Sequence, residues 1–198
     1  MGTRAALEYP RGRPIRPEAP MNHPIDAPVA DPDRVPYAKP QPWGMAPDLV
    51  VPDVVDGDPR MWAPIGPGMS SRPLHLNVTG GYYVHLLRVE RSGLLQRHRH
   101  AGPVHAYVIR GRWLYLEHDW VAEQGSYVFE PPGETHTLVV PDDCTDMVTM
   151  FVVHGALVYV DPEGRPTGYD DVFTRIEKYR AHFESAGLGA DHVRRFIR

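Results

Sequence analysis

One cysteine, Cys144, stands alone among 198 residues, so neither an internal disulfide nor a cysteine-rich zinc site can be built from this chain. Such a chain suits a reducing cytosol. Long apolar runs are also missing. The longest, Met147 to Val160, is interrupted by Thr149, His154 and Gly155. It falls short of the roughly 18 residues that a membrane-spanning helix needs. Met1 to Pro10 contains no apolar signal core. Nor does charge of one sign dominate. A net charge of −4 with no basic stripe lacks the electrostatic footprint of a nucleic-acid binder. These absences lead us to expect a soluble, cytoplasmic protein with neither nucleic acid nor membrane as a partner. Domains commonly run to about 100–150 residues, so one domain with appendages is expected. A hydrophobic fraction of 42% is enough for one core.

Proline is plentiful and unevenly spread. Residues 1–42 hold 10 of the 22 prolines and few large apolar groups. Proline at that density forbids helix and central strand alike, so a disordered tail is expected over 1–42. Residues 43–74 stay proline-rich but add Trp43, Met45, Leu49, Val50, Val51, Trp62 and Ile65. These read as anchors of an arm packed on the rest of the chain or on a second subunit. From about Pro73 the pattern changes to short runs divided by Gly, Pro, Asp or Asn. Leu74–Asn77, Gly81–Glu90, Leu94–His100, His105–Ile109, Arg112–Leu116, Ser126–Phe129, His136–Val140, Met147–Val153 and Ala156–Val160 read as strands. That spacing predicts an all-β barrel or jelly roll over 75–165. Residues 166–198 read as helical, with Asp170 or Asp171 as cap, and Val172, Phe173, Ile176, Tyr179 and Phe183 repeating near 3.6. Gly187 ends that helix, and Asp191 starts a last turn to Phe196.

The chemistry-bearing stretch is Gly93 to Val140. Side chains alternate along a strand, so His98 and His100 share a face with Gln96, while Arg97 and Arg99 point away. Two imidazoles so placed can converge on one ion at about 2.0–2.1 Å each. Gly102-Pro103 breaks the strand, and Pro131-Pro132-Gly133 makes a corner before a third imidazole, His136, on the run Thr135 to Val140. The set predicts a three-histidine metal site with open positions for water, substrate or oxygen.

Gly93…His98-x-His100…Gly111, followed by Gly125-x5-Pro131-x-Gly133-x2-His136, resembles the paired motifs of the cupin superfamily. Two positions depart from that pattern. Val104 stands where many cupins carry a glutamate ligand, and Val140 where an Asn is usual. The segments Gly80 to Val89, Gln96 to His100, Gly111 to Trp120, Phe129 to Leu138 and Phe196 to Arg198 further resemble the 2,4'-dihydroxyacetophenone dioxygenase family. That likeness spans roughly Trp43 to Arg198. It implies a single cupin barrel (a double-stranded β-helix or jelly roll) with a proline-rich N-terminal arm and C-terminal helices. It also implies Fe(II) as cofactor and O2 as co-substrate. The reaction implied cleaves the C–C bond of an aryl α-hydroxyketone to an aromatic acid and formate. Cupins commonly pair barrels, so a homodimer or homotetramer is expected.

The ligand type alone does not select iron, since neutral imidazoles also hold zinc, nickel or manganese. Two other readings therefore stand beside the dioxygenase: a metal-dependent isomerase or hydrolase on a sugar-like or carbonyl compound, and a non-enzymatic sensor. Candidate catalytic residues are Gln96, by its parity with the histidines, and His105, as a group able to swing in past the Gly102-Pro103 corner. The third is Glu117, which would point inward with Trp113 and Tyr115 if that strand continued. Glu130 and Glu134 flank the proline corner and read as solvent-facing turn residues. Tyr83, Tyr107, Trp113, Tyr115, Tyr127 and Phe129 are candidate walls of an apolar pocket. His118 reads as exposed and His154 as structural, while the role of His85 is open.

Overall fold

Glycines and prolines cut the chain into short runs, and in several, such as Val104–Arg110 and Tyr127–Glu130, side chains alternate between core and solvent as a half-buried strand requires. The computed structural model describes residues 34–198. Most of the tail read over 1–42 lies outside the described residues. Among the described residues all strands and helices fall within the compact unit Ala46–Arg198.

Its strands are β1 (Ala63–Gly66), β2 (Met69–Asn77), β3 (Tyr82–Val89), β4 (Gly93–His100), β5 (Val104–Arg110) and β6 (Arg112–Tyr115). They continue with β7 (Ala122–Glu123), β8 (Tyr127–Glu130), β9 (Thr135–Val140), β10 (Met147–His154), β11 (Leu157–Val160) and β12 (Pro166–Asp170). Two six-stranded antiparallel sheets result, ordered β1-β2-β3-β10-β5-β8 and β12-β11-β4-β9-β6-β7. Their inner faces share one core, in which Tyr83, Val104, Val108 and Phe151 of the first sheet meet Trp113, Tyr115 and Leu138 of the second. This is the jelly-roll barrel expected from the sequence.

Three strands escaped the sequence reading. β7 is only two residues long, too short to show an alternation. Proline disguised the other two, β1 and β12, and also the start of β2. The first sheet begins at Ala63 rather than near Pro73. Pro64 and Pro73 sit where the register of β1 and β2 shifts, so their missing N–H groups are tolerated. Pro166 and Gly168 lie in β12, which pairs with β11 inside the segment read as helical. Of the anchors, Trp62 is buried with Leu86 and Val148, and the Arg88 guanidinium lies 3.9 Å above its ring. Trp43, Met45 and Val50 are exposed.

One helix, α1 (Val172–Ser185), follows β12. Asp171 caps it by accepting from the Thr174 N–H, and the Thr174 hydroxyl returns the bond to the cap, a reciprocal capping box. Val172, Arg175, Tyr179 and Phe183 form its buried stripe, while Phe173 faces solvent. Beyond Gly187, in the left-handed region at φ +75°, a 3-10 turn Ala190–Phe196 tucks Val193 and Phe196 into the core. The chain then pairs with β2, Arg198 N–H donating to Leu76 C=O at 3.1 Å. Among the described residues no helix is long and apolar enough to cross a membrane.

Asp170, read as an alternative cap, instead joins α1 to the second sheet. It is 1% exposed, accepts from Tyr159 Oη at 2.8 Å and pairs with Arg175 Nη2 at 3.1 Å. Lys178 Nζ reaches its other oxygen. Burial alone would raise the Asp170 carboxyl pKa, but Arg175, Lys178 and Tyr159 outweigh it and hold the group below its ordinary value. A depressed folded pKa means the stabilisation is complete above the unfolded value, about 3.9, and is lost as pH falls through the lower folded value. Asp170→Asn is expected to cost about 3 kcal/mol or more at pH 7, because it strands a buried guanidinium. Urea denaturation should show that deficit unchanged from pH 7 to about 4 and shrinking below. A deficit that does not depend on pH through the acid range would show that the carboxylate charge is not what joins helix to sheet.

Candidate metal centre

β4 and β9 pair antiparallel with His98 directly opposite His136. His100 lies two residues along β4 and so shares the inner face with His98. All three are buried, at 6%, 3% and 0% exposure for His98, His100 and His136. One nitrogen from each lies within 4.8 Å of the others. The Nε2 atoms of His98 and His136 stand 3.2 Å apart. Imidazoles bound to one ion at about 2.0–2.1 Å, at angles between octahedral and tetrahedral, place their nitrogens about 2.8–3.4 Å apart. The His98–His136 pair has that spacing, and His100 completes the group within 4.8 Å.

A carboxylate completes it. Glu130 Oε2 lies 3.1 Å from His100 Nε2 and 3.5 Å from His136 Nε2. Neither Glu130 Oε2 nor His100 Nε2 finds an aligned hydrogen-bond partner, although both are fully buried. An orphaned buried polar atom costs about 1–3 kcal/mol, and more when charged. A cation bound by His100 Nε2 would satisfy that atom and stand against the Glu130 charge. The donor set therefore fits a divalent metal held by His98, His100 and His136, with Glu130 beside it.

Electrostatics favours the ligating forms. Burial holds the His98 imidazole well below its ordinary pKa, and His100 and His136 add to the effect. Burial lowers His136 as well, against the opposing pull of Glu130. Both therefore keep free lone pairs at neutral pH. Tyr115 stacks flat on His136, centroids 3.7 Å apart, and its hydroxyl donates to Glu130 Oε1 at 2.9 Å. Burial, then the Glu130 charge, push that phenol well above its ordinary pKa, so it remains a donor.

Glu130 corrects the sequence reading, which set it facing water at the proline corner. β8 runs through Glu130 before Pro131 turns the chain, and Val128 and Glu130 share the inward face. Tyr127 and Phe129, expected in the pocket wall, point out with 62% and 53% exposure. Tyr107 is outside as well, whereas Tyr83, Trp113 and Tyr115 are inside. Val104, at the position where many cupins carry glutamate, is buried and paired in register with Glu130. The carboxylate has moved one strand across the sheet. The legible signal was the parity of Glu130 with Val128, and the two aromatics masked it.

The candidate catalytic residues part company here. Gln96 lines the cavity that reaches His98 and His100. His105 does not: its neighbours Val104 and Ala106 take the inner face, and it bonds Tyr127 Oη through Nδ1 at 2.7 Å on the outer face. The Gly102-Pro103 corner does not swing it inward. Glu117 also lies outside, because β6 stops at Tyr115. It accepts from the Thr137 N–H at 2.7 Å and from the Thr137 hydroxyl at 2.8 Å. His118 is not free in solvent but pairs with Glu134 at 3.0 Å and stacks on Trp120. His85, left open in the sequence, is buried, bonded through Nδ1 to Ser71 Oγ at 2.9 Å, and lines the cavity.

The cavity walls are otherwise apolar: Ile65, Leu95, Leu138, Phe151, Val153 and Leu157. Its polar groups are the histidines with Tyr115 at the metal site, and Gln96, Tyr159, Arg175 and His85 elsewhere on the wall.

His136→Ala is expected to remove metal retention, measured as bound metal after gel filtration. For the parent protein, a metal present at a hundredfold excess over its Kd should add about 2.7 kcal/mol of stability. The variant should show no such gain in thermal melts. Full metal occupancy in His136→Ala would disprove the three-histidine assignment.

Comparison with known proteins agrees with this geometry. Among curated proteins none matches the chain. A solved RmlC-like cupin protein from Ralstonia eutropha JMP134 is 27% identical, with a TM-score of 0.65 over 71% of this chain and 90% of that one. A second protein from the same organism, described as having a cupin-like fold and unknown function, is 25% identical, with a TM-score of 0.58 over 61% and 75%. An acetylacetone dioxygenase from Acinetobacter johnsonii, 16% identical, shares the fold with a TM-score of 0.61 over 75% and 99%. The family model described as the ChrR Cupin-like domain matches residues 51–158, which includes all three histidines and Glu130. With strands, donor set and family model in agreement, the chain belongs to the ChrR cupin-like family.

Proposed function

We propose that the protein is a non-haem Fe(II)-dependent dioxygenase that cleaves the C–C bond of an aryl α-hydroxyketone, giving an aromatic carboxylic acid and formate. The observation that carries the reading is the buried carboxylate of Glu130 set against three convergent imidazoles in an apolar cavity. The acetylacetone dioxygenase has the same fold, which makes the barrel compatible with this class of chemistry. The resemblance of the central motifs to the 2,4'-dihydroxyacetophenone dioxygenase family supplies the substrate class.

Iron held by His98, His100 and His136 would supply the redox chemistry between O2 and the substrate. The chain does the rest. An α-hydroxyketone must lose a proton before its hydroxyl-bearing carbon becomes electron-rich, and Glu130 Oε2, 3.1 Å from His100 Nε2, is the base this reading assigns. Tyr115 Oη, bonded to the other carboxylate oxygen, fixes its orientation. Gln96 offers an amide to a substrate oxygen from the same face as His98. The apolar walls bind the ring and exclude water. The atoms balance: hydroxyketone and one O2 give one aromatic acid and one formic acid, with no external reductant.

Fe(II)-loaded protein given 2,4'-dihydroxyacetophenone is expected to consume one O2 per 4-hydroxybenzoate and per formate formed. Bound iron with no oxygen uptake would remove this reaction and direct attention to the isomerase or hydrolase alternative. Glu130→Gln should keep its iron and lose about 10²- to 10⁴-fold in kcat, the usual contribution of a positioned base. Loss of iron together with activity would make Glu130 a ligand instead.

A further inference from the structure

The cavity has a second polar pole away from the metal site, and α1 supplies it. Arg175 leaves the buried face of the helix and lines the cavity together with Gln96 and Tyr159. The same three residues, with Ile65, also line an outer groove that runs along α1 past Lys178 and His182. These shared residues, the neck, are where the groove and the cavity adjoin. We propose that Arg175 is a specificity-determining residue that holds an anionic oxygen, carboxylate or phenolate, at the end of the substrate remote from the metal. The inference rests on the cavity being the substrate site described above.

Three observations carry it. Arg175 is 4% exposed, yet its Nε has no hydrogen-bond partner. A buried guanidinium with an idle donor is costly unless something else completes it. Second, Arg175 does not have its counter-ion to itself. Among the described residues Asp170 is the one carboxylate paired with Arg175 and with Lys178, so buried Arg175 shares its counter-ion with a half-exposed lysine. The nearby phenols do not supply a second anion. Burial pushes Tyr83 up to about 12 and raises Tyr159 and Tyr179, so all three are neutral at physiological pH. Third, the guanidinium is held in place. Its Cζ lies 5.4 Å from the Tyr83 ring centroid and Nη2 is bonded to Asp170. A preorganised cation at the mouth of an apolar cavity selects for a ligand that is apolar in the middle and anionic at one end.

The test measures binding, independent of turnover. The zinc-loaded protein is titrated with 4-(hydroxyacetyl)benzoate, an anion, and with its neutral methyl ester. The parent protein should bind the anion at least about tenfold more tightly, the usual effect of one charge-assisted contact. Arg175→Gln should bring the two probes within about twofold, leave the affinity for the ester unchanged, and Arg175→Lys should restore part of the difference. His136→Ala, unable to hold zinc, should keep the preference, which separates the neck from carboxylate binding at the metal. Should Arg175→Gln fold poorly, the double variant Asp170→Asn with Arg175→Gln removes both charges and gives the same reading. No preference in the parent protein, or a preference that survives Arg175→Gln or vanishes in His136→Ala, overturns the proposal. If neither probe binds the parent protein, both the cavity as substrate site and this inference fail. An Arg175-dependent preference without oxygen uptake would sink the dioxygenase while leaving the anion site standing.

Discussion

The register between β4 and β9 sets the rest of the site. It places His98 opposite His136, and the period of two along β4 then brings His100 to the same face. A slip of one residue would turn the paired imidazoles toward opposite faces and dissolve the cluster. β4 is secured on both edges, by β9 on one side and β11 on the other. The metal site is thus a by-product of ladder hydrogen bonds that the barrel needs anyway, and it costs the fold no special loop.

Around that ladder the two sheets divide the labour. The second sheet presents the imidazoles and Tyr115, while the first contributes Glu130 from β8 and an apolar wall from Phe151 and Val153. The third contributor is α1. Its capping box fixes where the helix starts, and the pair between Asp170 and Arg175 fixes how it lies on the barrel. The same side chain that secures the helix also reaches the cavity. If the proposed anion site holds, stability and selectivity meet in one guanidinium.

Much of this was legible in the sequence alone. The alternation Gln96, His98, His100 and the corner before His136 were enough to place the triad, because strand parity is a rigid rule. Nine strands were legible from Gly and Pro punctuation, and Gly187 marked the helix end. What failed did so where a local signal had two meanings. Pro64, Pro73 and Pro166 argued against strands, yet each sits where the ladder is irregular or at its end. Glu130 stood next to Pro131, which suggested a solvent corner although the strand reaches it first. Glu117 would have pointed inward only if β6 had continued, and the chain turns after Tyr115. Arg175 could not be identified as a cavity residue, since its helix face is apolar in pattern and the register of helix on barrel is set by tertiary contacts alone.

The order of elements along the chain has a consequence for biosynthesis. Every strand, and with them His98, His100, Glu130 and His136, precedes α1. Domains fold as units while the chain emerges from the ribosome. The donor atoms are thus all synthesised before the helix that carries Arg175, and the core is finished only when Val172, Tyr179 and Phe183 of that helix join it.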